Sequence, residues 1–261
     1  MFDIDAYARQ VSPVSLDGID LAAFRARPLS PEALRCLRYM HDVESHTVCY
    51  LRDLLVTPSH RDPRVTAFLT MWNYEEHWHG EALGRVLAAH GEASGAARVE
   101  PMRARQGLGD RVSPVVNALG GALLGDAFVA VHMTWGAVNE WSTQAGYARL
   151  AEREGHPMLT ELLDRIQRQE ARHVAFYATE ARRRLAASPR ARRLVRLLLR
   201  TRWAPVGSSV MPREETAFLL RHLVDGTVAD RLDANVHRLP GLDGLGIVRK
   251  AAAEYGALAA A

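Results

Sequence analysis

The sequence predicts an all-α fold, in which a four-helix bundle is followed by additional C-terminal helices. Long segments repeat apolar residues at three- and four-residue steps, and several of them follow a Ser-Pro or Asp-Pro pair, which is typical of a helix start. A Glu-x-x-His motif occurs twice, at Glu76–His79 and at Glu170–His173. Glu and His one turn apart share a helix face, where both can bind one metal ion. The sequence therefore predicts helices that carry metal ligands.

A solitary glutamate precedes each copy of the motif. Glu44 precedes Glu76, and Glu140 precedes Glu170, at nearly the same separation along the chain. Two helices that each give one Glu, and two that each give Glu-x-x-His, make up the ligand set of the ferritin-like dinuclear carboxylate bundle. The pattern therefore predicts a di-metal core with six ligands: Glu44, Glu76, His79, Glu140, Glu170 and His173.

Composition agrees with a globular enzyme-sized chain. Hydrophobic residues make up 48% and charged residues 24% of the 261 residues, which is ordinary for a folded protein. A net charge of +3 is too small to indicate binding to nucleic acid. Cys36 and Cys49 are too few for a disulfide framework, and the first residues lack a signal-peptide core. The apolar run from Val115 to Val131 is interrupted by polar and glycine residues, so we expect a buried helix, not a membrane span, and a cytoplasmic protein.

The N-terminal part is predicted to be an arm followed by the first bundle helix. Residues 1–29 contain proline and glycine without sustained periodicity. Ser30-Pro31 then begins a helix. Glu44 lies on the apolar stripe of this helix, so its carboxylate needs a partner. His41, one turn earlier, has two interpretations, a hydrogen-bonded core histidine or an additional ligand.

Three further helices complete the predicted bundle, which spans residues 30–187. Asp-Pro, Ser-Pro and proline signals place them at residues 63–90, 114–154 and 157–187. Their inner faces carry the remaining candidate ligands, whereas Glu75 and His77 are expected to point elsewhere. The segment between the second and third helices is rich in Gly, Ala and Arg, and is predicted to be a crossover without regular structure.

Residues 188–261 are predicted to form a helical extension that packs on the bundle. Its first segment interleaves arginines with leucines from Arg190 to Arg202. One interpretation is a helix that docks its apolar face and leaves its arginines in solvent. The other is a docking surface for an acidic partner or a membrane surface.

Three motifs resemble those of the soluble acyl-acyl-carrier-protein desaturases. Glu-Glu-His-Trp-His-Gly at residues 75–80 resembles the family's Glu-Glu-Asn-Arg-His-Gly, and Gln-Glu-Ala-Arg-His at 169–173 resembles its Asp-Glu-Lys-Arg-His. Asn-Glu-Trp-Ser-Thr at 139–143, followed by Ala-Arg-Leu-Ala at 148–151, looks like Gln-Glu-Arg-Ala-Thr and the stretch after it. The match covers roughly residues 30 to 185, and its motifs are more specific for the di-iron bundle than for desaturation.

The resemblance implies a homodimeric di-iron enzyme that uses oxygen on an acyl chain bound to acyl carrier protein, with a reduced ferredoxin-type electron donor. Glu44 and Glu140 would be terminal ligands, Glu76 and Glu170 bridging ligands, and His79 and His173 imidazole ligands. Thr143 matches a threonine beside the oxygen-binding side of the family's cluster. The other interpretation of Thr143 is a hydroxyl bonded to the backbone four residues earlier.

The chain also departs from the family. Gln169 stands where the family has an aspartate, so the negative partner that orients a ligand histidine is expected to be lost. His77 and Trp78 replace an asparagine and an arginine. The four carboxylates and two imidazoles remain. These donors suit two Fe ions, or Mn in one site, whereas a structural zinc site would normally be closed by four ligands.

We therefore expect an oxygen-dependent di-iron oxidase, most readily a desaturase or hydroxylase of a carrier-bound acyl group. Two alternatives remain open. The same ligand set serves di-iron N-oxygenases and other tailoring oxidases of biosynthetic pathways. A ferritin-like protein that binds iron without an organic substrate would also need these six residues.

Overall fold

The computed structural model describes residues 2–257, and over that range the chain is helical, with no β-strand. This confirms the all-α prediction. Within the described residues, a short 3₁₀ turn at Pro58–Arg61 accompanies eleven α-helices. In chain order the helices are α1 (Ile4–Ala8), α2 (Ala23–Ala26), α3 (Pro31–Leu55), α4 (Pro63–Ala89), α5 (Ala96–Leu124), α6 (Asp126–Glu154), α7 (Pro157–Ala187), α8 (Pro189–Arg202), α9 (Arg213–Leu223), α10 (Gly226–His237) and α11 (Ile247–Ala257).

Three of the helix starts are capped as their sequences predict. The side chains of Ser30, Asp62 and Ser188 accept hydrogen bonds from backbone N–H groups in the first turns of α3, α4 and α8. A proline follows each cap and fits the first turn, where its missing N–H is not needed. Each such cap contributes about 1 kcal/mol to the helix it begins.

The region between α4 and α6 differs from its prediction. Instead of an irregular crossover, the chain is helical from Ala96, and instead of one helix over residues 114–154 there is a break at Gly125. Gly107 and Gly125 have φ values of 59° and 58°, a left-handed conformation that glycine adopts without a Cβ clash. These glycines therefore decide where α5 bends and where α6 begins. Pro114 was expected to begin a helix, but it lies inside α5.

The second half of α5 is largely exposed, so the run from Val115 to Val131 is not buried there as expected, and its side chains become buried only at its end, at residues 129–131 of α6. Leu108, Val112, Val115 and Leu119 recur at three- and four-residue steps, and between 50% and 75% of each residue is accessible to solvent. Spacing of this kind puts the four side chains on one face of a helix. Among the described residues, no helix is both long and apolar enough to cross a bilayer.

The chain divides into two compact units, whose described parts are residues 3–120 with 147–169, and residue 2 with 121–146 and 170–257. In the first unit, α3 packs along α4, and Leu37, Phe68 and Leu83 are fully buried. The predicted N-terminal arm has more structure than expected, because it contains α1 and α2. Tyr7 of α1 donates a hydrogen bond to Glu75 on α4.

In the second unit, α9 and α10 both pack against α11. Buried Asp233 of α10 accepts hydrogen bonds at 3.0 Å from the backbone N–H groups of Val248 and Arg249, which fixes the start of α11. Helix α8 buries Ala191, Val195 and Leu199 and leaves most of its arginines exposed. This arrangement is the one expected for a helix that docks its apolar face.

Candidate metal centre

Three predicted ligands lie on α3 and α4 and are called the α4 half below. Glu44, Glu76 and His79 are all buried. Nδ1 of His79 lies 3.2 Å from Oε2 of Glu76, so the imidazole and the carboxylate face the same point. Gly80 lets the two helices approach here, because a Cβ at this position would lie 2.9 Å from Oγ of Ser45 and 3.5 Å from Cβ of Glu44. The glycine that follows the first Glu-x-x-His motif therefore has a packing role.

Two hydrogen bonds support the α4 half. The hydroxyl of Tyr147 donates to Oε1 of Glu44. Gln169 bridges His79 and the arm: its Nε2 donates to the backbone oxygen of Ser12 at 3.0 Å, and its Oε1 lies 2.8 Å from Nε2 of His79. Since a backbone carbonyl only accepts, the amide oxygen of Gln169 is the atom that faces His79, and it accepts the Nε2 proton. Nδ1 of His79 is then left to bind a metal.

Gln169 was expected to remove the negative partner that orients a ligand histidine. Its neutral amide lies against His79, so a hydrogen-bond partner is present at this position but carries no negative charge. The amide of Gln169 thus reaches the imidazole from α7 and orients it without adding a charge.

The other three predicted ligands lie on α6 and α7 and are called the α7 half. Glu140, Glu170 and His173 are buried, and Nδ1 of His173 lies 3.0 Å from Oε2 of Glu170. The second motif thus repeats the geometry of the first within its own helix. Repetition of one local geometry on two helices is what the repeated Glu-x-x-His spacing predicted.

Packing against an aromatic ring distinguishes the surroundings of the α7 half. A Cβ at Gly136, one turn before Glu140, would lie only 2.3 Å from the ring of Tyr177. Tyr177 also meets the ring of His132 edge to face, with centroids 5.9 Å apart. Burial, with a smaller contribution from Arg184, lowers the pKa of His132 to about 3, so this imidazole is neutral at physiological pH.

In each half the ligand atoms lie close together. Ligand atoms of Glu44, Glu76 and His79 lie within 4.8 Å of one another, and so do those of Glu140, Glu170 and His173. Buried groups of carboxylates and imidazoles such as these two could hold a metal ion.

Two further predicted residues lie outside both groups. His41 is a hydrogen-bonded core histidine and not a ligand: its Nδ1 lies 3.0 Å from Oδ1 of Asp42, and its Nε2 accepts from the backbone N–H of Gly95 at 3.3 Å. Arg98 neutralises Asp42 through two hydrogen bonds. Thr143 is half-buried, one turn after Glu140, and its catalytic role stays a prediction.

Sequence reasoning missed two residues next to the candidate ligands. Tyr147 follows Glu140 by two helical turns, and this spacing on α6 was a signal that it shares the inner face. Glu75 was expected to point elsewhere, but it is buried and accepts the hydrogen bond of Tyr7 at 2.8 Å.

No family model, curated protein or solved structure matches the chain.

Proposed function

We propose that the chain is an oxygen-dependent di-iron oxidase with a four-helix bundle around a dinuclear centre. The observation that carries the proposal is that the three buried ligands of each half bring their ligand atoms within 4.8 Å of one another. In the proposed centre Glu76 and Glu170 would be the bridging carboxylates and Glu44 and Glu140 the terminal ligands, as the resemblance implies. His79 and His173 would each bind through Nδ1.

The donor set fits iron. Carboxylates are hard donors and imidazoles are borderline, and six of them exceed the four ligands of a closed structural zinc site. Four buried carboxylates repel one another unless cations offset their charge, and two divalent ions supply that charge. Bound iron would supply the electrons that reduce oxygen. The residues of the chain bind and orient the ions, and the surrounding apolar side chains exclude water.

We propose a carrier-bound acyl chain as the substrate class, with desaturation or hydroxylation as the reaction. The resemblance of the three motifs supports this, and Thr143 is the candidate residue on the oxygen side. Acyl carrier proteins are acidic, and α8 presents exposed arginines that would attract such a partner. Electron supply by a reduced ferredoxin-type protein belongs to the same proposal.

We also propose that the protein is a homodimer that covers the exposed stripe of α5. Contiguous exposed apolar side chains on a folded protein commonly mark an interaction surface. Val48 and Leu55, two turns apart on α3, are also exposed. Val115→Glu combined with Leu119→Glu should then convert a dimer to a monomer in analytical ultracentrifugation. A wild-type monomer would reject this part of the proposal.

The experiment that tests the function is an oxygen-dependent turnover assay with mass spectrometry of the product. Iron-loaded protein, a reductant and acyl-carrier-protein substrates should give an acyl chain that has lost two hydrogens or gained one oxygen. Glu140→Ala should abolish turnover while the helical circular-dichroism signal persists, because one carboxylate of the dinuclear set is lost. Unchanged turnover in Glu140→Ala would reject the assignment, and oxidation of free amines or small molecules alone would favour the tailoring-oxidase alternative.

Recognition of the carrier is tested by reversing charges on α8. Arg192 and Arg196 donate to backbone carbonyl oxygens, so their replacement would disturb packing. Arg190, Arg193 and Arg200 are exposed, and their change to Glu should raise KM for the carrier-bound substrate at low salt. The matched control reverses three exposed arginines outside α8, namely Arg221, Arg231 and Arg238. Equal effects of the two triple variants would indicate a non-specific charge effect.

A further inference from the structure

A third group of potential ligands lies apart from the six residues of the proposed centre. His46 and Cys49 are one turn apart on α3, and Asp110 is on α5. A ring nitrogen of His46, Sγ of Cys49 and a carboxylate oxygen of Asp110 lie within 4.8 Å of one another. All three residues belong to the same compact unit. This donor set differs from the other groups because it contains a thiol.

His46 supplies an independent sign of a ligand. Only 4% of the residue is exposed, and its buried Nδ1 has no hydrogen-bond partner among residues 2–257. A buried polar nitrogen that makes no hydrogen bond is costly, of the order of 1–3 kcal/mol, and such groups are uncommon in folded proteins. A metal ion is one partner that an imidazole nitrogen can take.

We propose that His46, Cys49 and Asp110 form a second metal site, which binds a zinc-class divalent cation through nitrogen, sulfur and oxygen. Three protein ligands leave a fourth position of a tetrahedral ion for water. This inference does not depend on the proposed oxidase activity. The bound ion would link α3 to α5 close to the bend at Gly107.

Two arginines near the three proposed ligands affect how strongly the group can bind a cation. Arg52 donates to both carboxylate oxygens of Asp110, at 2.9 and 3.1 Å, and also to Asp53. A carboxylate offers about four lone-pair positions, so Asp110 can keep Arg52 and still bind an ion. Arg103 is a second nearby cation, which opposes a divalent ion and contributes to the lowered pKa of His46.

The thiol of Cys49 must lose its proton when it binds a metal ion. Burial raises the pKa of Cys49, so its thiol is protonated at neutral pH. Binding of the cation therefore forms a metal–sulfur bond, breaks the S–H bond and releases one proton to solvent.

Cobalt(II) titration tests the site, because thiolate ligands give cobalt an intense near-ultraviolet charge-transfer band that carboxylates and imidazoles do not. We expect wild-type protein to show this band, and His173→Ala, which damages the proposed iron centre, to keep it. Cys49→Ser should abolish the band. His46→Ala should weaken cobalt binding by about tenfold or more, since even partners of metal ligands are worth 10- to 100-fold. A wild-type protein without the band, or a band that persists in Cys49→Ser, would overturn the proposal.

A second measurement avoids substitutions altogether. Cys36 is fully buried and Cys49 is partly exposed. Zinc should slow alkylation of Cys49 by iodoacetamide, and peptide mapping by mass spectrometry separates it from Cys36. Alkylation of Cys49 at the same rate with and without zinc would contradict the site.

Discussion

The two Glu-x-x-His motifs share one geometry but differ in how their surroundings hold it. In both motifs, Nδ1 of the histidine faces Oε2 of its own glutamate, at 3.2 Å on α4 and 3.0 Å on α7. Hydrogen bonds from side chains outside the motif support the α4 half, at His79 and Glu44. Beside the α7 half, an aromatic ring packs directly on a glycine backbone at Gly136. The α4 half therefore shows hydrogen bonds to two of its ligands, and the α7 half shows close packing of a ring on the helix that carries Glu140.

The largest expected effect comes from adding one methyl group beside the α7 half. Gly136→Ala would put a Cβ 2.3 Å from the ring of Tyr177, so we expect a loss of about 3 kcal/mol in the free energy of unfolding. Gly80→Ala meets the rotatable hydroxyl of Ser45 at 2.9 Å, so its cost should be about 1 kcal/mol or less. Urea unfolding of chelator-treated protein measures both.

Gly120→Ala is the matched control for these two variants. A Cβ there would meet no atom within 4 Å, so the change should be neutral or stabilising by up to about 1 kcal/mol. If Gly136→Ala costs no more than Gly80→Ala, steric fit does not distinguish the two halves.

The next effect concerns the orientation of His79. Gln169→Ala removes the acceptor of the Nε2 proton, and we expect iron affinity to fall by about 10- to 100-fold, as for other groups that orient metal ligands. Gln169→Glu keeps an oxygen at the same reach and should restore most of the affinity. Competition with a chelator gives both values. Equal losses in the two variants would show that an acceptor oxygen at position 169 is not what orients His79.

The smallest effect concerns the hydroxyl that contacts Glu44. Tyr147→Phe removes one hydrogen bond, so we expect a loss of about 1 kcal/mol in stability and a several-fold loss in iron affinity. Tyr7→Phe removes the same kind of bond from Glu75, which lies outside the ligand groups. Its stability loss should be similar, with iron affinity unchanged. A drop in iron affinity for Tyr7→Phe as large as for Tyr147→Phe would remove the distinction.

Short sequence patterns predicted the helix starts and the residues that share a helix face. Ser30, Asp62 and Ser188 marked helix starts because caps act within one turn. The spacing of the two motifs indicated the residues of the two ligand groups, because helical periodicity decides which side chains share a face. That these residues bind metal, and the division into arm, bundle and extension, stay predictions.

Features that depend on tertiary contacts could not be predicted in the same way. The contact of Gln169 with His79 joins α7 to α4, and no spacing along the chain indicates it. The run from Val115 looked buried because it is apolar, yet exposure depends on what packs against α5. The structure of the arm follows from the anchoring of Tyr7 on α4, which local composition does not report.

We propose that the six residues hold two iron ions in one centre, and iron analysis combined with electron paramagnetic resonance on the air-oxidised protein measures this. We expect about two irons per chain, with little resonance signal, because two ferric ions that share bridging carboxylates couple antiferromagnetically. About one iron per chain, with the signal of an isolated high-spin ferric ion, would contradict the dinuclear centre.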